Sequence, residues 1–132
     1  PTLQSTILDL PEAIEQAAPL LARLGLGERV RHRAGNALTD DFGENQYDIV
    51  LMSSLAHHFN DEQNRAVAQK VARALRPGGV YVVNDLFYGM TSTAGNYSVA
   101  EIQAWQQAAG LKPHKVTKYR TIPGRAMIVA KK

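Results

Sequence analysis

Two histidines stand side by side at His57 and His58, just behind an apolar run. An imidazole changes charge near neutral pH, so one of the pair could act as a general base, or either could be a hydrogen-bonded structural residue in a loop. They are a poor metal pair, because neighbours in an extended or turning segment point in different directions. With no cysteine in the chain and no carboxylate at ligand spacing, no metal site is expected. Asp85 follows a second apolar run, Val80 to Val83, as either a second acid or a solvated strand end. Asp9 follows a third run, Ser5 to Leu8. A carboxylate there can accept both hydroxyls of a ribose diol, or it can cap a helix starting near Pro11. Gly35, Asn36 and Ala37 follow Val30 to Ala34. Glycine lets backbone approach a flat ring, and an Asn amide can read an adenine edge by donating and accepting; a plain turn has the same composition.

These residues need elements to position them, and the chain alternates short apolar runs with helical patterns. Ser5 to Leu8 and Val30 to Ala34 read as strands. The near-continuous run Tyr47 to Met52 reads as a central strand buried on both faces. Ile14, Ala17, Ala18 and Leu21 recur at helical spacing over Glu12 to Leu24, with Pro11 at the entry. A second helix is expected from Asp61 to Leu75, capped by Asn60 and Gln63, burying Val67, Val71, Ala74 and Leu75. Arg76-Pro77-Gly78-Gly79 stops it and feeds the strand Val80 to Val83. A loop spans Gly89 to Tyr97. Ser98 with Glu101 then opens a third helix, with Trp105 as a core residue, closed by Gly110. Lys115 to Arg120 and Ala126 to Ala130, joined at Pro123-Gly124, form a hairpin whose Lys112, Lys115, Lys118 and Arg120 face solvent. The sum is an α/β layered domain with a mostly parallel sheet and an antiparallel C-terminal hairpin. In such sheets ligands bind beyond the carboxyl ends of the strands, where all the residues singled out above lie.

Composition narrows the classes. The 132 residues allow one domain at most. No apolar run approaches the roughly 18 residues of a membrane span, and no secretory leader is expected. The absence of cysteine excludes a disulfide scaffold, a thiolate zinc site and a cysteine nucleophile, and fits a reducing cytoplasm. A net charge of +3 with scattered basic residues gives no footprint for nucleic acid.

Several stretches carry a family resemblance when taken in order: Leu8-Asp9-Leu10-Pro11-Glu12, Arg29-Val30 through Gly35-Asn36-Ala37, Tyr47-Asp48-Ile49-Val50, Leu55-Ala56-His57-His58-Phe59-Asn60-Asp61-Glu62, Leu75-Arg76-Pro77-Gly78-Gly79 and Ala108-Ala109-Gly110-Leu111. Together they resemble class I S-adenosylmethionine-dependent methyltransferases of the small-molecule O-methyltransferase type. The resemblance implies a Rossmann-like layered fold and S-adenosylmethionine as cofactor. By the same resemblance Asp9 holds the ribose with Leu10 beside the adenine, Asn36 and Ala37 contact the adenine, and Ser53 touches the methionine part. His57 is then the general base and Asp85 the acid that orients it. The expected reaction is in-line attack of a substrate hydroxyl on the sulfonium methyl, with a small aromatic or polyketide-like acceptor.

The sequence also departs from the family. Asn36 stands where members usually carry Asp. The glycine-rich loop and the first strand belong before Leu3, the stretch Phe87 to Tyr97 is short, and the amino-terminal dimerisation domain is missing. Residues 1–132 therefore read as a single partial catalytic domain with its first strand missing. The gap where that strand would lie gives three expectations: direct pairing of Ser5–Leu8 with Tyr47–Met52, a strand swapped in from a second copy, or a longer parent protein. The alternative to a truncated enzyme is a catalytically silent domain kept as a binding or self-associating module.

Overall fold

A computed structural model of the chain describes residues 3–25, 29–86 and 97–132. They form two compact units, Pro1–Asp41 and Phe42–Lys132. The first is a β-α-β unit: β1 (Ser5–Asp9), α1 (Pro11–Arg23) and β2 (Val30–Ala34). β1 and β2 pair in parallel from Ser5–Val30 to Asp9–Ala34. Pro11 takes the first helical position, where its missing N–H costs nothing. Glu12 in the first turn and Arg23 in the last complement the helix dipole.

The second unit runs β3 (Tyr47–Ser53), a 3-10 turn (Ala56–His58), α2 (Asp61–Ala74), β4 (Leu75–Leu86), α3 (Val99–Ala108), β5 (Lys112–Lys118) and β6 (Arg125–Lys131). Its sheet has the order β3-β4-β6-β5, with β3 and β4 parallel and the other two pairs antiparallel. Alternation places Tyr81, Val83 and Asp85 of β4 and Ala126, Ile128 and Ala130 of β6 on one buried face. Val67, Ala68 and Val71 of α2 and Ile102 and Trp105 of α3 are buried with them. Each fully buried valine contributes about 1.5–3 kcal/mol. The solvent-facing lysines expected on β5 are exposed.

Both helices of this unit begin with reciprocal caps. The Asn60 side chain accepts from Gln63 N–H at 2.8 Å while Gln63 Oε1 accepts from Asn60 N–H at 2.9 Å. Ser98 and Glu101 do the same for α3. Asn60→Ala is expected to cost about 1 kcal/mol, seen as a lower urea midpoint with an unchanged slope.

Three expectations need correction. The strand after α2 starts at Leu75, not Val80, because Arg76-Pro77-Gly78-Gly79 is a bulge within β4: Tyr47 opposes Leu75, and the next pair is Ile49 with Val80. Gly78 takes φ +81°, and a Cβ on Gly79 would lie 2.9 Å from the Arg76 carbonyl oxygen and 3.1 Å from that of Asp48, so the bulge needs both glycines. Second, β3 is covered on one face only: Met52 is buried, whereas Ile49 and Leu51 are 57% and 61% exposed. An unbroken apolar run looks the same whether a second covering layer is present or not. Third, of the three alternatives for the missing strand, direct pairing of β1 with β3 is not found: among the described residues β1 bonds β2 alone and β3 bonds β4 alone. The two strands lie in separate units, and four of the five β1 residues are exposed. The loop expected at Gly89 to Tyr97, like the comparison of Phe87 to Tyr97 with the family, falls almost wholly outside the described residues.

One contact joins the two helices covering the sheet. Trp105 Nε1 donates to Asp61 Oδ1 at 2.7 Å, and Arg65 Nε donates to Asp61 Oδ2 at 2.6 Å. The Arg65 hydrogen bond first, and the Trp105 bond second, hold the Asp61 carboxyl below its ordinary value of 3.8. A depressed pKa means this contribution is fully present above the unfolded value and is lost as pH falls through the folded one. Trp105 is the sole tryptophan, so its emission is expected to titrate with a midpoint below 3.8, and Asp61→Asn should remove that step.

Candidate active site

Parallel pairing sets both strand ends of the second unit at one edge. Ser53 opposes Asn84, which places Ser53 and Asp85 together at the carboxyl ends of β3 and β4. The chain leaves β3 through Ser54, at φ +53°, whose N–H donates to the Asn84 carbonyl at 2.9 Å. It then winds into the 3-10 turn that carries His57.

His57 Nδ1 lies 2.7 Å from Asp85 Oδ1, and the His57 backbone N–H donates to Asp85 Oδ2 at 3.4 Å. The Asp85 side chain is 2% exposed and that of His57 is 19%. A carboxylate can only accept, so the proton of a neutral His57 sits on Nδ1 and Nε2 keeps the lone pair that a base needs. The reading of Asp85 as a solvated strand end is thereby corrected: it is buried and held against His57. His58 is exposed, its ring centroid 4.0 Å from that of His57 and tilted by 43°. Among the described residues no three His, Cys, Asp or Glu side chains are grouped to hold a metal ion.

The first unit gathers the other four candidates. Pairing of Asp9 with Ala34 sets Asp9, Leu10, Asn36 and Ala37 at the carboxyl end of the β1–β2 pair, where Gly35 N–H donates to the Asp9 carbonyl at 2.9 Å. Asp9 does not cap α1 in the usual sense. Its Oδ1 accepts from Leu10 N–H at 2.9 Å, and Leu10 is the cap residue, with no side-chain bond to the helix. The carboxylate stays exposed at the strand end, with the half-exposed Leu10 beside it. Asn36 is exposed, and its Oδ1 accepts from Leu38 N–H at 2.8 Å, an Asx turn that leaves Nδ2 to donate. An exposed carboxylate for a diol, an apolar side chain for a ring face and an amide donor for a ring edge suit an adenosine group.

Sequence reasoning missed Asp40. It pairs with Arg33 at 3.5 Å, and its Oδ1 accepts from Asn36 N–H at 3.3 Å. A Cβ on Gly35 would meet the Asp40 carboxylate and the end of the Leu8 side chain, both of which would have to shift. The acidic pair Asp40-Asp41 downstream of Gly35 was the available signal. A shallow apolar groove lined by Ala18, Leu21, Ala22, Gly25, Val30 and His32 contains none of these site residues.

Comparisons with known proteins bear on both units. Residues 2–79 match the family model described as a methyltransferase domain. The 3-hydroxy-5-methyl-1-naphthoate 3-O-methyltransferase of Streptomyces sahachiroi is 26% identical over 147 residues, covering 98% of this chain and 42% of that protein. The N,N-dimethyltransferase OxyT of Streptomyces rimosus is 27% identical over 149 residues, covering 100% of this chain and 43% of OxyT. The apo crystal structure of SibL, an S-adenosylmethionine-dependent methyltransferase, matches with a TM-score of 0.84 at 26% identity, covering 98% of this chain and 43% of SibL. The chain thus spans less than half the length of these relatives, and its sheet and helices follow the Rossmann-like methyltransferase fold, mixed by its antiparallel hairpin.

Proposed function

Because the chain belongs to the methyltransferase-domain family, we propose that it serves transfer of the methyl group of S-adenosylmethionine to a hydroxyl of a small aromatic or polyketide-like molecule, in the cytoplasm. The observation that carries this reading is the 2.7 Å contact between His57 and buried Asp85 at the carboxyl edge of the sheet.

When bound, S-adenosylmethionine supplies an electrophilic sulfonium methyl. His57 Nε2 removes the proton of the acceptor hydroxyl as the oxygen attacks. Asp85 holds the Nδ1 proton in place and stabilises the imidazolium that forms. In the first unit Asp9 would accept from the ribose hydroxyls, Leu10 and Ala37 would flank the adenine and Asn36 Nδ2 would donate to its edge; in the second, Ser53 would contact the methionine end. With no covalent intermediate on the protein, positioning of the acceptor hydroxyl by these residues would supply much of the acceleration. The O-acceptor follows the naphthoate 3-O-methyltransferase relative, while OxyT is named for dimethylation at nitrogen.

Incubation with tritium-labelled S-adenosylmethionine and a panel of hydroxynaphthoates and their amino analogues tests this. Label is expected in an aryl methyl ether. Label confined to the amines would overturn the hydroxyl assignment, and no label in any product would overturn transfer. A silent, self-associating module is the competing reading, supported by a β3 edge that pairs with no further strand among the described residues and by the exposure of Ile49 and Leu51. It predicts concentration-dependent sedimentation together with no label transfer.

A further inference from the structure

A second polar group lies at the carboxyl edge of the four-stranded sheet and has no part in the proton relay. Arg125 opens β6, and its Nη2 donates to Ser54 Oγ at 2.6 Å. Its Nε is buried and has no hydrogen-bond partner among the described residues. No carboxylate among the described residues pairs with its guanidinium. Asn84 is in a similar position: its Nδ2 donates to Ser53 Oγ at 3.1 Å, and its Oδ1 is buried and unpaired.

Register places these groups on one face. Asn84 opposes Ser53 across β3–β4 and Met127 across β4–β6, and Arg125 lies two residues from Met127, so Ser53, Asn84 and Arg125 share a face. Asp85, one residue from Asn84, projects from the other.

A buried guanidinium N–H without an acceptor is costly, while the rest of the Arg125 head is only partly buried and its Nη2–Ser54 bond is exposed. Nε together with an Nη forms the flat edge that a carboxylate meets with two parallel hydrogen bonds. The orientation of the Asn84 amide is set by a bond to a hydroxyl that can either donate or accept. Turned over, the amide accepts from Ser53 and offers its NH2 at the buried position. The cluster can then present the Arg125 edge, the Ser54 hydroxyl and an amide donor to one anion. Ser54 is held in the left-handed backbone region while making its bond to Arg125, a conformation that few non-glycine residues adopt.

We propose that Arg125, with Ser54 and Asn84, forms a binding subsite for a small-molecule carboxylate. The carboxylate can belong to an aromatic acid acceptor or to the amino-acid end of the cofactor; the acceptor case rests on the methyltransferase reading.

The test follows the Arg125 Nε–Hε signal by nitrogen-15 NMR while the protein is titrated with 1-naphthoate, S-adenosylhomocysteine and uncharged 1-naphthamide. At least one carboxylate should shift the signal and the amide should not; a shift with naphthoate identifies the acceptor, a shift with S-adenosylhomocysteine the cofactor. Arg125→Gln should weaken binding of the active carboxylate by at least about tenfold, with Arg125→Lys falling between. If neither carboxylate moves the signal, or Arg125→Gln binds both as tightly as the wild type, the subsite is refuted. 5′-Methylthioadenosine, which has the adenosine group but no carboxylate, separates this result from the cofactor reading. Failure of that ligand to bind, with the naphthoate shift intact, would remove the methyltransferase reading and leave the subsite standing.

Discussion

Replacing His57 with alanine is expected to lower kcat for methyl transfer by about 10²–10⁴-fold while leaving cofactor affinity unchanged. The acceptor hydroxyl must lose its proton as it attacks, and His57 is the imidazole held in a single tautomer by a buried carboxylate. Asp85→Asn should also lower kcat, since an amide can still accept from Nδ1 but no longer stabilises the imidazolium by charge. His58→Ala provides the control: its ring packs on His57 but remains exposed, and its loss should leave most of the activity. A steady-state split that shows a changed KM with an unchanged kcat in His57→Ala would move the base elsewhere.

The second large effect is on folding. Trp105→Ala should cost about 3–5 kcal/mol of stability, against roughly 5–15 kcal/mol for a whole domain. Trp105 is 4% exposed, meets the Tyr97 ring edge-on at a centroid distance of 4.7 Å, and ties α3 to Asp61 at the start of α2. Trp105→Phe should cost less, because it keeps much of the apolar area and removes only the Asp61 bond and part of the ring. Chemical denaturation measures both. A loss below about 1 kcal/mol for the alanine variant would mean that α3 is not a structural cover for the sheet.

Much of this was legible in the sequence, and the reason is local physics. β2 is found over Val30–Ala34 as expected, and both capping boxes lie where an Asn–Gln and a Ser–Glu pair stand three residues apart. These features depend on neighbours within a turn or on alternation along one strand. The His57–Asp85 contact spans 28 residues, and only the family resemblance linked the two, since no periodic pattern carries a pairing across strands. Arg125 is 71 residues from Ser54 and reads in sequence as an ordinary hairpin residue. The Arg76–Gly79 bulge was hidden because proline and glycines signal a turn equally well inside and outside a strand. The open face of β3 depends on what lies over it, which the strand's own composition does not encode.

In the proposed function Asp9 and its neighbours read the adenosine of the cofactor. The most direct measurement is calorimetric titration of S-adenosylhomocysteine into the protein and its Asp9→Ala variant. Two charge-assisted hydrogen bonds to a ribose diol predict saturable binding to the wild type, weakened about 10- to 100-fold by Asp9→Ala, with the circular dichroism of the two proteins unchanged. A folded wild type that releases no heat, or an Asp9→Ala variant that binds as tightly, would rule out adenosine recognition by Asp9.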